Sequence, residues 1–245
     1  MSRQTLLHTS SAAASTSWPA RRFRVLAVAL AVLCAPVAGA QSSTTLGPPG
    51  RMPPGGCTEP RTGPGDAPGC YLMGVEAIGA APATPIFWHL DAFPTRPAAE
   101  AARHARGTVA EAHGRAWLLT IAGADWKPAS GMRVARIGPL PVTAGRAYTA
   151  HFFEGVAPAG ARTPVHRHPG PEAWYVLEGA PCLETPEGAH VMRAGESFVV
   201  PEGPPMMLTG VGAAVRRTLG LVLHDAAKPW NVVAADWTPK GTCSR

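Results

Sequence analysis

Two histidines and a glutamate lie close together in the stretch TPVHRHPGPEAWYVLEG, residues 163–179. His166 and His168 are two positions apart, and Glu172 follows four positions after His168. Side chains at positions i and i+2 of a strand face the same way, so both imidazoles can point into one interior. The Pro-Gly-Pro sequence at 169–171 predicts a turn or bulge, after which the carboxylate can return to the same point. Two imidazoles and one carboxylate suit Mn, Fe, Ni, Cu or Zn and leave coordination positions open.

The same residues sit inside a longer pattern of fixed spacing. Gly160, His166, His168, Glu172 and Gly179 are separated by five, one, three and six residues. This stretch resembles the first motif of the cupin superfamily, whose members are small jelly-roll β-barrels that often bind a metal in the barrel. The resemblance implies one divalent transition metal on the two histidines and the glutamate.

The second cupin motif is only partly present. Gly195, Pro201 and Gly203 are in register, but Met206 stands where the family has a histidine, and Gly210 replaces an asparagine. The resemblance spans roughly residues 145–225, and it indicates the fold rather than the reaction, since one fold hosts many activities.

Met206 leaves three interpretations open. The site could be a three-ligand one, resembling the facial arrangement of non-haem iron enzymes with open positions. Met206 could instead be a soft thioether ligand, which would favour copper. In the third interpretation metal binding has been lost, and Met206 only fills the core.

Other residues are candidates for a pocket around the metal. On a regular strand Trp174 shares the inward face with Glu172, so it is a candidate to line a substrate cavity, as is its neighbour Tyr175. His151 is a candidate replacement ligand or proton shuttle, against the alternative of a hydrogen-bonded core histidine. The Arg216-Arg217 pair places at least one charge outward on a strand.

The N-terminus has the order of a secretory signal peptide. Arg21, Arg22 and Arg24 precede an apolar run over residues 25–37, and Ala-Gly-Ala at 38–40 is a small-x-small cleavage site. We therefore predict export to the periplasm or beyond and no membrane attachment after cleavage; the alternative is an uncleaved anchor. Four of the 22 basic side chains lie in residues 1–40, which contain no acid, so 18 basic and 16 acidic side chains remain. This balance gives no reason to expect nucleic acid as a partner.

Four cysteines follow the predicted cleavage site. Four cysteines in an exported chain suggest disulfides and allow three connectivities. We favour Cys57–Cys70, which would staple a Pro/Gly-rich segment, and Cys182–Cys243, which would tie the C-terminal tail to the body. The rival interpretation is buried free thiols.

The mature chain is predicted to be a single-domain, all-β, cupin-type jelly-roll barrel with N-terminal extra strands and one short helix. The predicted helix begins after Thr95 and ends at Gly107. Short apolar runs separated by Gly and Pro predict the strands, and the first half of the chain could add strands to the same barrel. The predicted segments are a signal peptide at 1–40, a Pro/Gly-rich leader at 41–69, strands and helix packed on the barrel at 70–145, the barrel core at 146–230 and a tail at 231–245.

Two classes of function follow from these residues. The first is a metal-dependent enzyme acting on a small molecule, for which the resemblance allows dioxygenase, isomerase and lyase chemistry. The second is a non-catalytic periplasmic protein whose partly degenerate barrel captures a small ligand or a metal. The resemblance also implies a homodimer. The chain has no P-loop, no G-x-S-x-G elbow and no H-E-x-x-H sequence.

Overall fold

The computed structural model describes residues 56–63, 65–103 and 106–244. The predicted signal peptide and most of the leader lie outside these residues. The elements, in chain order, are β1 (Gly69–Ala80), β2 (Phe87–Phe93), α1 (Arg96–Ala102), β3 (Thr108–Ala112), β4 (Arg115–Ala122), β5 (Met132–Ile137), β6 (Ala147–Ala157), β7 (His166–Arg167), β8 (Glu172–Glu178), β9 (Ala180–Thr185), β10 (Gly188–Val191), β11 (Ser197–Val200), β12 (Met207–Val211), β13 (Arg216–Asp225), β14 (Val232–Val233) and a 3-10 helix (Thr242–Ser244).

Antiparallel sheets dominate the structure, which confirms the prediction of an all-β fold with one short helix. A five-stranded sheet has the order β1-β6-β13-β8-β11, and a three-stranded sheet has the order β10-β9-β12. The segment before β7 continues the second sheet, since Thr163 N–H donates to the Leu208 carbonyl and His166 N–H to the Met206 carbonyl. Among the described residues the strands form separate facing sheets and not one closed hydrogen-bonded barrel.

The five-stranded sheet is covered on both faces. Its outer face packs on a four-stranded sheet, β3-β4-β2-β5, through a cluster that includes Trp88, Trp117 and Phe152. Its inner face packs on the three-stranded sheet through a cluster that includes Phe153 and Trp174. Strands buried on both faces explain the nearly continuous apolar runs in the sequence.

The N-terminal half contributes to two different layers. Strand β1 pairs with β6 and extends the five-stranded sheet, as the sequence analysis allowed, whereas β2–β5 form the separate outer sheet. The boundary between extra strands and barrel core at residue 145 stays a prediction. Helix α1 starts where expected, because the Thr95 hydroxyl accepts from Ala98 N–H. It ends earlier than expected, since Arg103 is already extended.

Two disulfides tie the ends of the described chain to the sheets. They are Cys57–Cys70 and Cys182–Cys243, the two pairings that the sequence analysis favours. They close loops of 13 and 61 residues, for which chain entropy gives about 3 and about 4 kcal/mol of stabilisation. No helix in the described part of the chain is long and apolar enough to cross a membrane.

A buried histidine in the outer sheet is held in one neutral tautomer. His89 Nε2–H donates to the Gly123 carbonyl, and His89 Nδ1 accepts from the Arg133 guanidinium at 2.7 Å. Arg133 also donates to the buried Asp91 carboxylate at 2.7 Å. Burial, aided by the positive charge of Arg133, lowers the pKa of His89 below its usual 6.5.

This network predicts acid-sensitive stability. The unfolded chain binds a proton at His89 more strongly than the folded chain does. The contribution of neutral His89 to the free energy of unfolding is therefore complete above pH 6.5 and is lost as the pH falls below it. We expect a lower melting temperature at pH 5 than at pH 7.5, with a slope of at most about 1.4 kcal/mol per pH unit from this one group. His89→Gln should flatten the profile, and His190→Ala, at an exposed position, should not; equal slopes in all three proteins would contradict the assignment.

Candidate metal centre

The three candidate ligands meet at one point inside the molecule. His166 lies in β7, His168 follows it directly, and Glu172 is the first residue of β8. One ligand atom from each side chain lies within 4.8 Å of the other two, and all three residues are buried. The two imidazole rings are 4.9 Å apart, at an angle of 76°.

The Pro-Gly-Pro segment between the histidines and Glu172 lies along β13. Asp225 N–H donates to the Pro169 carbonyl at 2.7 Å, and Leu223 N–H donates to the Pro171 carbonyl at 2.9 Å. A Cβ atom on Gly170 would lie 2.0 Å from the Leu223 carbonyl oxygen, so only glycine allows this approach. The segment thereby carries the chain from the histidines into β8, where Glu172 faces them.

Each histidine uses one ring nitrogen for orientation. His166 Nδ1 lies 2.8 Å from the Pro164 carbonyl, and His168 Nδ1 lies 2.7 Å from the Trp230 carbonyl. A carbonyl oxygen only accepts, so both Nδ1 atoms carry a proton, and in the neutral form of each ring Nε2 keeps its lone pair. Metal-binding histidines characteristically have such an outer hydrogen bond, which fixes the tautomer and the ring orientation.

The pKa values of the two histidines shift in opposite directions. Burial lowers the pKa of His166, and this effect outweighs the attraction of the Glu172 carboxylate. Burial also disfavours charge on His168, but the carboxylate and the hydrogen bond to Trp230 raise the pKa of His168 above its usual value. Glu172 therefore lies where it neutralises positive charge near both rings.

The polar atoms that face one another lack hydrogen bonds. His168 Nε2 and Glu172 Oε2 are buried and 3.4 Å apart, which is ion-pair distance when His168 is protonated, but neither atom forms a hydrogen bond with a described residue. Buried polar atoms normally have a partner, so these two indicate a missing one. A donor set of two imidazole nitrogens and one carboxylate oxygen fits a divalent transition metal.

A second layer of contacts supports His168. The Trp230 ring stacks on His151 at 4.3 Å and lies 5.7 Å from the His168 ring. His151 Nε2–H in turn donates to the Cys57 carbonyl at 2.8 Å. The structure thus places His151 as a support for Trp230, outside the ligand group and the cavity wall.

A cavity of about 230 Å³ opens beside the three ligands. Its walls are largely apolar and include Phe153, Trp174 and Leu208, while Gly56 and Cys57 come from the N-terminal leader. The apolar walls are typical of a small-molecule site with few polar groups.

The two aromatic residues after Glu172 face opposite sides of β8. Trp174 lines the cavity, as its spacing from Glu172 predicts. Tyr175 points to the outer face and packs against the cluster under the four-stranded sheet, so it does not belong to the cavity. Strand alternation separates the two side chains.

Met206 lies directly opposite His166. The two residues exchange both backbone hydrogen bonds, at 3.1 and 2.8 Å, so their side chains share one side of the pair. Met206 is 1% exposed and belongs to the inner apolar cluster, and it does not line the cavity.

Trp230 and Arg216 line the cavity, although the sequence patterns did not predict a site role for either residue. Trp230 lies far from the motif, in a stretch with no ligand spacing. For the Arg216-Arg217 pair the sequence predicts only that at least one charge points outward. Arg217 does lie outward and pairs with Glu178 at 3.1 Å, but Arg216 is buried and lines the cavity. Strand alternation could have predicted this, because Leu219, Leu221 and Leu223 lie on the outer face of β13 and Arg216 therefore lies on the opposite face.

Residues 152–208 match the family model described as "Cupin domain". The match contains all three candidate ligands and Met206. These residues form a cupin domain. The resemblance to the cupin superfamily is thus confirmed for this part of the chain, whereas no curated protein sequence matches the chain.

Solved structures similar to the cupin domain include three enzymes. An oxalate oxidase in complex with the substrate analogue glycolate is 22% identical, with a TM-score of 0.31 over 35% of this chain and 46% of that one. The DMSP lyase DddQ from Ruegeria pomeroyi DSS-3 is 20% identical, with a TM-score of 0.31 over 35% and 43%. Salicylate 1,2-dioxygenase from Pseudoaminobacter salicylatoxidans, with gentisate, is 21% identical, with a TM-score of 0.27 over 29% and 19%. The chain spans less than half the length of each of these proteins.

The close approach at Gly170 yields a prediction. In Gly170→Ala the new Cβ must displace β13 backbone, which should cost about 1–3 kcal/mol of unfolding free energy and separate Glu172 from the histidines. Denaturant unfolding and metal titration would measure both effects. Gly65→Ala is the matched control, because nothing lies within 4 Å of its Cβ position. Wild-type stability and metal affinity in Gly170→Ala would contradict this role.

Proposed function

We propose that the cupin domain binds one divalent transition-metal ion through His166, His168 and Glu172 and that the protein is a metal-dependent enzyme for a small molecule. One observation carries this proposal. His168 Nε2 and Glu172 Oε2, which form no hydrogen bond with a described residue, are buried 3.4 Å apart beside a cavity of about 230 Å³.

The chain's own residues would prepare the site for chemistry. The carbonyls of Pro164 and Trp230 hold both imidazoles with Nε2 toward the shared point. The apolar walls, including Phe153, limit water in the cavity and strengthen electrostatic interactions there. A metal held by three protein ligands keeps positions open and supplies a Lewis acid or, if redox-active, an electron-transfer centre. Oxygenation, isomerisation and lyase reactions are all compatible with such a site.

We also propose that the protein is exported. Two disulfides are typical of oxidising compartments such as the periplasm, and they support the predicted signal peptide. A homodimer stays a prediction from the resemblance.

Metal content is the first test. Protein purified without chelators should contain about one transition-metal ion per chain by elemental analysis. His166→Ala removes a candidate ligand. It should lower the metal affinity by more than the ~10–100-fold that is lost when a residue hydrogen-bonded to a ligand is removed. His190→Ala, an exposed histidine, is the matched control and should keep the metal. Equal metal content in His166→Ala and wild type would remove His166 from the ligand set.

Turnover then separates the enzyme from the binding protein. Oxygen consumption by the metal-loaded protein with small phenols or keto acids would favour an oxygen-dependent enzyme. Stoichiometric metal without turnover of any candidate would favour the non-catalytic binding protein. A folded protein that ignores added Mn, Fe, Ni, Cu and Zn would overturn the proposed site.

Met206 offers a test by gain of function. Because Met206 and His166 face the same side of their strand pair, Met206→His should add a third imidazole as a fourth ligand and tighten metal binding at least tenfold. Met206→Leu, which keeps an apolar side chain, should leave the affinity unchanged. A tenfold loss in Met206→Leu would instead identify the thioether as a ligand. No gain in Met206→His would mean that position 206 does not reach the metal.

A further inference from the structure

Arg216 is a buried cation that forms no salt bridge with the described part of the chain. It is the first residue of β13, it lines the cavity, and it is 3% exposed. Its Nε and Nη1 atoms are buried and form no hydrogen bond with any described residue. Burial lowers the pKa of Arg216 to about 10, so the guanidinium stays charged at neutral pH.

Other arginines beside buried carboxylates in this molecule are paired. Arg61 Nε lies 2.5 Å from the Glu154 carboxylate, and Arg133 Nε lies 2.7 Å from that of Asp91. An unpaired buried charge costs folding free energy, because it loses hydration without gaining a counter-ion. Arg216 therefore needs an explanation that the fold itself does not supply.

The surroundings of Arg216 suggest that explanation. Thr218 and Gly155 line the cavity wall beside it, and a Cβ atom on Gly155 would lie 2.7 Å from the Thr218 hydroxyl. A larger residue at position 155 would therefore force Thr218 to shift. Glu172 is the only acidic side chain among the described residues that line the cavity, and it faces the two histidines. Glu172 also attracts the Arg216 guanidinium electrostatically, but no described carboxylate forms a salt bridge with it.

We propose that Arg216 binds the carboxylate of a small organic acid, which makes small carboxylates the substrate class of this cupin. The identification of the acid as a substrate rests on the proposed function; its binding to Arg216 does not require the metal. A guanidinium offers two parallel N–H donors that match the two oxygens of a carboxylate. The described cavity lining contains no lysine and no second arginine to neutralise a phosphate dianion. A volume of about 230 Å³ also falls below the roughly 300–1,000 Å³ of pockets for drug-sized ligands.

Matched acids and amides test the proposal. Calorimetric titration would compare benzoate with benzamide, and isobutyrate with isobutyramide, which differ in charge but hardly in shape. Wild type should bind the better acid at least tenfold more tightly than its amide, and Arg216→Met should lose this preference. Arg217→Met is the matched control, because Arg217 is on the same strand but pairs with Glu178 outside the cavity. No preference for either acid in wild type, or an undiminished preference in Arg216→Met, would overturn the proposal.

Thermal stability distinguishes ligand binding from a structural role. Without ligand, Arg216→Met should melt at the same or a higher temperature than wild type, because it removes an unpaired buried charge. A clearly lower melting temperature would show that Arg216 supports the fold and would overturn the assignment. If Arg216→Met does not fold, Arg216→Gln provides the same comparison of acid with amide.

Each titration would be made on chelator-treated and on metal-loaded protein. A preference for the acid that depends on Arg216 in a protein that binds no metal would support the carboxylate site and reject the metal-dependent function. Bound metal without any preference for the acid would support the metal site and reject the carboxylate site at Arg216.

Discussion

The five-stranded sheet is covered by other sheets on both of its faces, and this burial constrains every polar side chain that it carries. The outer face of β13 carries Leu219, Leu221 and Leu223, which pack under the four-stranded sheet. On the inner face the same sheet carries Glu172, Arg216 and Thr218. Water cannot solvate these groups freely, so each requires a partner inside the molecule. The candidate metal centre and the cavity lie where that requirement is unmet.

The three candidate ligands lie within seven residues of sequence, but their support comes from distant segments. Trp230 accepts from His168 and stacks on His151, and His151 donates to Cys57 in the leader. Cys57 is bonded to Cys70, next to the start of β1. Both ends of the described chain therefore contribute to the orientation of one imidazole.

Local patterns in the sequence predicted the parts of the molecule that depend on neighbours in sequence. The spacing of His166, His168 and Glu172 predicted that these three side chains meet, and Thr95 predicted the start of the helix. Long-range packing decided the rest. Whether Arg216 or Arg217 faces inward depends on which face of β13 meets the cavity, and the support from Trp230 depends on the docking of a distant segment. Likewise, no local signal shows that β2–β5 form a third layer.

The hydrogen bond between His168 and Trp230 spans 62 residues. During synthesis on the ribosome, all three candidate ligands emerge well before the carbonyl that fixes the tautomer of His168. A nascent or C-terminally truncated chain would contain the complete motif, but neither the tautomer nor the ring orientation of His168 would yet be fixed by this hydrogen bond. The preorganisation of the centre is thus a property of the finished chain and not of the motif.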